Sequence, residues 1–211
     1  MRNTSEDGIY YWRRSPNEEL PPGKLPNLRK EPYKRTPLQC QQTPLAPFGI
    51  VDSDWASDTS HRKSISGIGC MYAGAVVAYK SAYQKSVADS STEAEFYALV
   101  ECAKMMLYLR SVLEDLGINQ TFATPIFEDN KGAIDIVRSG KPTKRVCHVD
   151  TKQFIIIDWV EIDLVDILKI STHDNSSDVL TKALPKALLY RHNEVLMGKI
   201  RPPYSTFDLL E

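Results

Sequence analysis

The chain has 211 residues, 42% hydrophobic and 25% charged, with a formal net charge of -1 at pH 7. That places it among soluble globular proteins, with room for one ordinary domain plus a tail or for two very small domains. A charge so near zero excludes attraction of nucleic acid by the overall field, so any such binding must come from a local basic patch.

The four cysteines, Cys40, Cys70, Cys102 and Cys147, are scattered, with no C-x-x-C pair and no histidine at zinc spacing. Cys70 and Cys102 have apolar neighbours, which favours small buried thiols in a reducing compartment over a disulfide frame. The N-terminus has no apolar leader-like run, and the longest apolar stretch, residues 73–79, is far too short to span a bilayer. The expectation is a soluble intracellular protein.

Residues 1–47 differ from the rest. Pro16, Pro21, Pro22, Pro26, Pro32, Pro37, Pro44 and Pro47 punctuate a polar, mostly basic stretch whose only apolar cluster is Ile9, Tyr10, Tyr11 and Trp12. Prolines at that density block helices and sheet ladders, so an extended linker is expected, with the aromatic cluster as a short strand. Folded sequence begins at Phe48. Residues 48–55 read as a strand, and 64–72 and 75–81 as two more, joined by a tight hairpin at Ala73 and Gly74.

The strongest helix follows. Ser90, Ser91 and Thr92 precede Glu93 and Glu95 in the manner of an N-cap with an acidic first turn, and the helix runs to Leu116 and stops at Gly117. Residues 124–128 read as a strand, 130–138 as a helix ended by Gly140, 149–159 as a helix and 162–171 as a strand. Residues 176–183 read as a helix stopped before Pro185, and 186–197 as a last amphipathic piece. A meander followed by crossover strands predicts an α/β fold: a mixed sheet with helices on both faces. The expected division is a linker over 1–47, the main domain over 48–185, and a C-terminal helix and tail over 186–211.

Four carboxylates fall where such a fold would gather them. Asp52 lies in the first strand, Glu95 in the first turns of the long helix, Asp129 at the end of the fourth strand, and Asp178 at the start of the helix after the last strand. Phosphodiester hydrolysis needs an activated water and a stabilised leaving oxygen. Two divalent ions about 4 Å apart, held by a carboxylate cluster, supply both. Magnesium takes oxygen ligands and keeps several waters, so side chains from separate elements suffice. Each acid also has an ordinary local explanation, as a cap or a partner of a helix dipole. Glu95 separates from Glu93 by helical spacing: it shares a stripe with Leu99, Cys102, Met106, Leu109 and Leu113, whereas Glu93 lies on a mixed face with Tyr97, Val100, Lys104 and Ser111. A carboxylate at the end of a buried stripe is costly unless paired or metal-bound.

Six blocks carry a family resemblance. They are Val-Asp-Ser-Asp-Trp-Ala at 51–56, His-Arg-Lys-Ser-Ile-Ser-Gly at 61–67, and Val-Ala-Asp-Ser-Ser-Thr-Glu-Ala-Glu-Phe-Tyr-Ala-Leu at 87–99. The others are Glu-Asp-Asn-Lys-Gly-Ala-Ile at 128–134, His-Val-Asp-Thr-Lys at 148–152, and Ser-Asp-Val-Leu-Thr-Lys-Ala-Leu-Pro at 177–185. In this order they resemble the ribonuclease H region of copia-type retrotransposon Pol polyproteins and cover nearly all of the chain after Pro47. The resemblance implies a ribonuclease H-like fold, a five-stranded mixed sheet flanked by helices. It implies a site holding two Mg2+ or Mn2+ ions on Asp52, Glu95, Asp129 and Asp178, and endonucleolytic cleavage of the RNA strand of RNA–DNA hybrids during reverse transcription.

Asp54 is the rival for the first position, since residues two apart on a strand share a face. The family pattern favours Asp52. The segment Asp-Gly-Ile-Tyr-Tyr-Trp at 7–12 resembles the connection to a reverse transcriptase, the implied partner along with the hybrid. No polymerase motif is present in the chain itself. The implied location is a cytoplasmic retrotransposon particle, or the nucleus.

Basic residues Arg62, Lys63, Lys141, Lys144, Arg145 and Lys152 are candidates to track phosphates, against the alternative of an ordinary solvated loop. His173 stands where related ribonucleases H carry a histidine that assists product release. Trp55 and Trp159 read as core or rim packing. Rival readings are an inactive remnant that keeps the fold and binds nucleic acid, another two-metal nuclease of similar architecture, and a particle scaffold. An exonuclease-like enzyme would carry Asp-x-Glu on the first strand, where this chain has Asp52 and Asp54.

Overall fold

The computed structural model describes residues 2–4, 10–12, 46–57, 60, 62–140, 155–200 and 202. The chain divides into two compact units, Met1–Lys34 and Arg35–Glu211. In the first, strand β1 (Arg2–Thr4) pairs antiparallel with β2 (Tyr10–Trp12), Asn3 opposite Tyr11.

The second unit opens with a meander of β3 (Phe48–Asp54), β4 (Ile65–Tyr72) and β5 (Ala75–Tyr83). Ala73 and Gly74, at φ 52° and 91°, make the two-residue turn between β4 and β5, the left-handed pair that suits the twist of a hairpin. Then come α1 (Ser91–Asp115), β6 (Thr124–Glu128), α2 (Lys131–Ser139), α3 (Ile155–Glu161), β7 (Val165–Lys169) and α4 (Lys186–Leu196). The sheet order is β5-β4-β3-β6-β7, with β3, β6 and β7 parallel and β4 antiparallel to its neighbours. This is the expected five-stranded mixed sheet.

Strand alternation sorts its two faces. Val51, Ile126 and Ile167 pack with Phe96, Leu99, Cys102 and Met106 of α1, Ile134 of α2 and Ile156 of α3. On the opposite face Phe48, Ile50, Phe127 and Leu168 pack with Leu196 of α4. Helices therefore cover both faces. Helix α1 lies close on the sheet because residue 49 is glycine: a Cβ there would stand 2.7 Å from Cys102 Sγ and 3.3 Å from Ile126 Cγ1.

The ends of α1 follow their sequence signals. The Ser90 side chain accepts from Glu93 N–H. At the other end Gly117 N–H donates to Glu114 and Ile118 N–H to Leu113, the paired bonds that close a helix on a left-handed glycine.

Two expected elements differ, and a third is described only in part. Residues 162–164 are the exit of α3 rather than strand: Ile162, Asp163 and Leu164 donate back to Asp158, Val160 and Trp159, and Asp163 turns left-handed at φ 63°. Residues 176–183 form a 3-10 turn (Ser176–Leu180) rather than an α-helix, closed by Asp178 N–H to Asn175 and Thr181 N–H to Asp178. Serines and asparagine that bond locally compete with helix propagation, and Pro185 forbids its extension. Of the helix expected over 149–159, residues 149–154 lie outside the described residues.

No helix among the described residues is long and apolar enough to cross a membrane. Cys70 and Cys102 are buried free thiols, as expected, and burial pushes the Cys70 thiol up to about 11. Cys40 and Cys147 lie outside the described residues.

Candidate active site

The parallel pairing of β3 with β6 sets Gly49 opposite Ile126 and Ile50 opposite Phe127. Two places further on, the same register brings Asp52 alongside Asp129, just past the end of β6. Alternation then sends neighbouring acids to opposite faces. Glu128 follows Ile126 towards α1, where Glu95 waits in the first turns of that helix. Asp129 follows Phe127 to the other face, with Asp52 and with Asp178 on the Ser176–Leu180 turn. Ligand oxygens of Asp52, Asp129 and Asp178 lie within 4.8 Å of one another, and so do those of Glu95, Glu128 and Asp129. Asp129 is common to both groups.

All four acids singled out from the sequence thus meet in one place, drawn from four elements. Asp54 stays outside both groups. Glu128, fully buried, is a fifth member that the sequence reading passed over. Its signal was there: in an acidic pair at a strand end, each residue points to a different face.

The cluster is electrostatically unsatisfied. Burial, followed by the charges of Glu128, Asp52 and Asp129, pushes the Glu95 carboxyl up to about 11. Burial, followed by the neighbouring Asp178, pushes Asp52 up to about 6, against the pull of Thr181 and Lys182. Burial raises Glu128, Asp129 and Asp178 as well. Glu95 Oε2 and Glu128 Oε2 are buried with no hydrogen-bond partner among the described residues. Buried acceptors without donors, crowded by like charge, are what an oxygen-binding cation relieves. The residues present fit divalent cations.

Glu93 is also buried, so burial alone does not separate it from Glu95. Partners do. Glu93 Oε2 accepts from Asp89 N–H at 2.7 Å and Oε1 from Tyr97 Oη at 2.9 Å, which makes it part of the helix cap.

The turn bearing Asp178 is pinned to the sheet. Asn175 Nδ2 donates to the Val51 carbonyl at 2.8 Å, and Thr181 Oγ1 donates to Asp52 Oδ2 while lying 3.1 Å from the Asp178 carbonyl oxygen. Gly67 on β4 makes the approach feasible: a Cβ there would stand 2.6 Å from Thr181 Cγ2 and 2.9 Å from both Leu180 Cβ and the Ser177 carbonyl oxygen. Lys182, one turn beyond Asp178, reaches Asp178 Oδ1 at 3.1 Å and Asp52 Oδ2 at 3.6 Å. Its i,i+4 spacing hints at the pair with Asp178, but only the fold of the turn brings it to Asp52.

His173 is exposed and accepts at Nδ1 from Arg191 Nη1 at 2.8 Å, while Arg191 Nη2 binds Asp174 at 2.6 Å. Its neighbour Thr172 pulls the Asp129 carboxyl down, against the burial that raises it. The histidine therefore sits on a loop that touches the cluster without joining it. Arg62 is exposed, at φ 57°, and Lys63 half-buried, both between β3 and β4. Lys141, Lys144, Arg145 and Lys152 lie outside the described residues. Trp55 is a rim residue, its indole donating to Ala88 at 3.0 Å, and Trp159 packs against the core.

A mixed sheet ordered β5-β4-β3-β6-β7, with carboxylates gathered where its central parallel strands end, defines a ribonuclease H-like fold. The relatives agree with the resemblance read from the six blocks. The chain is 36% identical over 138 residues to the retrovirus-related Pol polyprotein from transposon TNT 1-94 of Nicotiana tabacum, an alignment covering 65% of this chain and 10% of that protein. It is 31% identical over 135 residues to the corresponding polyprotein of transposon RE1 from Arabidopsis thaliana, covering 64% and 9%. No family model matches. Among solved structures, a ribonuclease H1 isolated from compost superimposes with a TM-score of 0.49 at 14% identity, over 64% of this chain and 92% of that one. The chain is thus similar to a stretch of retrovirus-related Pol polyproteins of plant transposons, and it spans about a tenth of the length of the two polyproteins compared.

Proposed function

We propose that this chain is a metal-dependent ribonuclease that cuts the RNA strand of RNA–DNA hybrids internally, in the service of reverse transcription by a Pol polyprotein. The observation that carries the proposal is the convergence of Asp52, Glu95, Glu128, Asp129 and Asp178 into two oxygen-rich groups sharing Asp129.

In this reading Asp52 and Asp178 would hold one divalent cation and Glu95 and Glu128 the other, with Asp129 common to both groups of ligand oxygens. When bound, two Mg2+ or Mn2+ ions supply Lewis acidity that activates a water and stabilises the departing 3′ oxygen. The carboxylates orient that chemistry from rigid strand and helix positions. The water oxygen bonds to phosphorus as the bond to the 3′ oxygen breaks, and the 3′ oxygen takes up a proton, leaving a 5′ phosphate and a 3′ hydroxyl. Preference for RNA comes from contacts to 2′-hydroxyls across the minor groove of the hybrid. Arg62 and Lys63, with the basic residues of the 141–152 segment, track the phosphates. His173, on the loop beside Asp129, assists release of the product end.

A strand-labelled hybrid incubated with Mg2+ or Mn2+ tests this. Internal cuts confined to the RNA strand, abolished by chelator and by Asp52→Asn or Asp129→Asn, are expected. Hybrid binding with no metal-dependent cutting would instead select a fold-retaining, inactive remnant.

A further inference from the structure

The two halves of the cluster are not equivalent. Among the described residues, no lysine or arginine is in ion-pair reach of Glu95 or Glu128, whose outer oxygens are left without any partner. The other half already contains a cation. Lys182 Nζ stands 3.1 Å from Asp178 Oδ1 and 3.6 Å from Asp52 Oδ2, and the Thr181 hydroxyl takes up the same Asp52 oxygen. A primary ammonium is a compact point charge on a four-carbon stem. Positioned between two carboxylates, it does for them what a metal ion would do, without the metal's fixed ligand geometry. The Lys182 side chain is 36% exposed, whereas those of Asp52 and Asp178 are 3% and 5%. The ammonium therefore sits at the mouth of the site and has solvent to withdraw into, while the acids are buried.

We propose that Lys182 is a built-in counter-cation that competes with the divalent ion for the Asp52–Asp178 half of the cluster. This rests on the ribonuclease H reading of the site. Its consequence is ordered filling. The Glu95–Glu128–Asp129 half, with no resident cation, binds first and tightly. The Asp52–Asp178 half binds second and weakly, because each ion entering it must displace an ammonium. While the second position is empty, Lys182 keeps Asp52 and Asp178 from repelling one another and so holds the Ser176–Leu180 turn against β3. The role is one of positioning and competition at the metal site, separate from any contact with the hybrid.

Calorimetric titration of the whole chain with Mn2+, in the absence of nucleic acid, provides the test, alongside thermal unfolding in chelator. Wild type is expected to show two unequal binding phases. Lys182→Met should leave the tight phase within about twofold and strengthen the weak phase by roughly tenfold, the size of a partly exposed ion pair between two carboxylates. In chelator the same variant should unfold at a lower temperature than wild type, since two buried carboxylates lose the one ion-pair partner they have among the described residues. Lys182→Arg, which keeps the charge, should retain the weak second phase and the wild-type metal-free stability. Binding by wild type with a weak phase that Lys182→Met leaves unchanged would overturn the competition while sparing the ribonuclease reading. Absence of any Mn2+ binding by wild type at millimolar concentrations would overturn both.

Discussion

Asn175 donates its side-chain amide to the carbonyl oxygen of Val51 at 2.8 Å, joining residues 124 apart in the chain. Val51 directly precedes Asp52, and Asn175 opens the turn that carries Asp178. The same asparagine accepts from Ser177 N–H at 3.2 Å. One buried side chain thus sets the distance between two of the candidate ligands. Asn175→Ala leaves the Val51 carbonyl and the Ser177 N–H without partners, which should cost about 1–3 kcal/mol of stability. Urea unfolding measures that loss, and cation affinity should fall with it. A variant as stable as wild type would show that the turn is held by other means.

Gly67 is required by close approach. Two of the three contacts a Cβ would make are with Leu180 Cβ and the Ser177 carbonyl, both at 2.9 Å, positions with little freedom to yield. Gly67→Ala should therefore push the Asp178 turn off the sheet, with about 1–3 kcal/mol lost to overpacking. Activity should fall further than stability accounts for, read as hybrid cleavage at a temperature where the variant is fully folded.

Glu95 and Glu93 make a matched pair of substitutions. Glu95→Gln removes a carboxylate whose Oε2 has no protein partner and should lower metal-dependent cleavage by at least about 100-fold. Glu93→Gln disturbs only the helix start, where the charge is worth about 0.3–1 kcal/mol. It should keep near wild-type cleavage with a slightly lower melting temperature. Equal losses in the two variants would contradict the assignment.

Metal-free stability should fall as pH rises above about 6.5. A carboxyl whose folded pKa is raised binds its proton more tightly when folded, so its favourable contribution is complete below the unfolded pKa and is lost as pH climbs towards the folded value. For Asp52 that window runs from 3.8 to about 6, and for Glu95 from 4.5 to about 11. Buried His192 acts in the opposite sense: burial, then Arg191 and His173, lower it from 6.5 to about 4, so its contribution is lost as pH falls through that range. Above 6.5 His192 no longer contributes, and Glu95 and Glu128 dominate. Melting temperatures in chelator should drop between pH 6.5 and 9 and recover on adding Mg2+. A metal-free melting temperature that rises over this interval would contradict the crowded-carboxylate account.

Much of this was legible in the sequence because it is written locally. Ser90 and Gly117 bracket α1, the Ala73–Gly74 pair makes the hairpin, and Asn130 and Gly140 bound α2, each through chemistry within a few residues. The four acids could be singled out from a place within the first strand, a strand end and two helix starts. What stayed hidden depends on juxtaposition. Glu128 joins the cluster only because β6 runs parallel to β3 in one register, and Lys182 only because a 3-10 turn, where an α-helix was expected, folds back over β4. The turn itself depends on Gly67, more than 100 residues earlier, which no local pattern around Asp178 reveals.

The central claim is that these five carboxylates grip divalent cations. Anomalous diffraction from crystals soaked in Mn2+ addresses it without relying on activity. Two peaks are predicted, one among Glu95, Glu128 and Asp129 and a second, at higher Mn2+, among Asp52, Asp129 and Asp178. Crystals that take up manganese elsewhere, with no density between these acids, would contradict it.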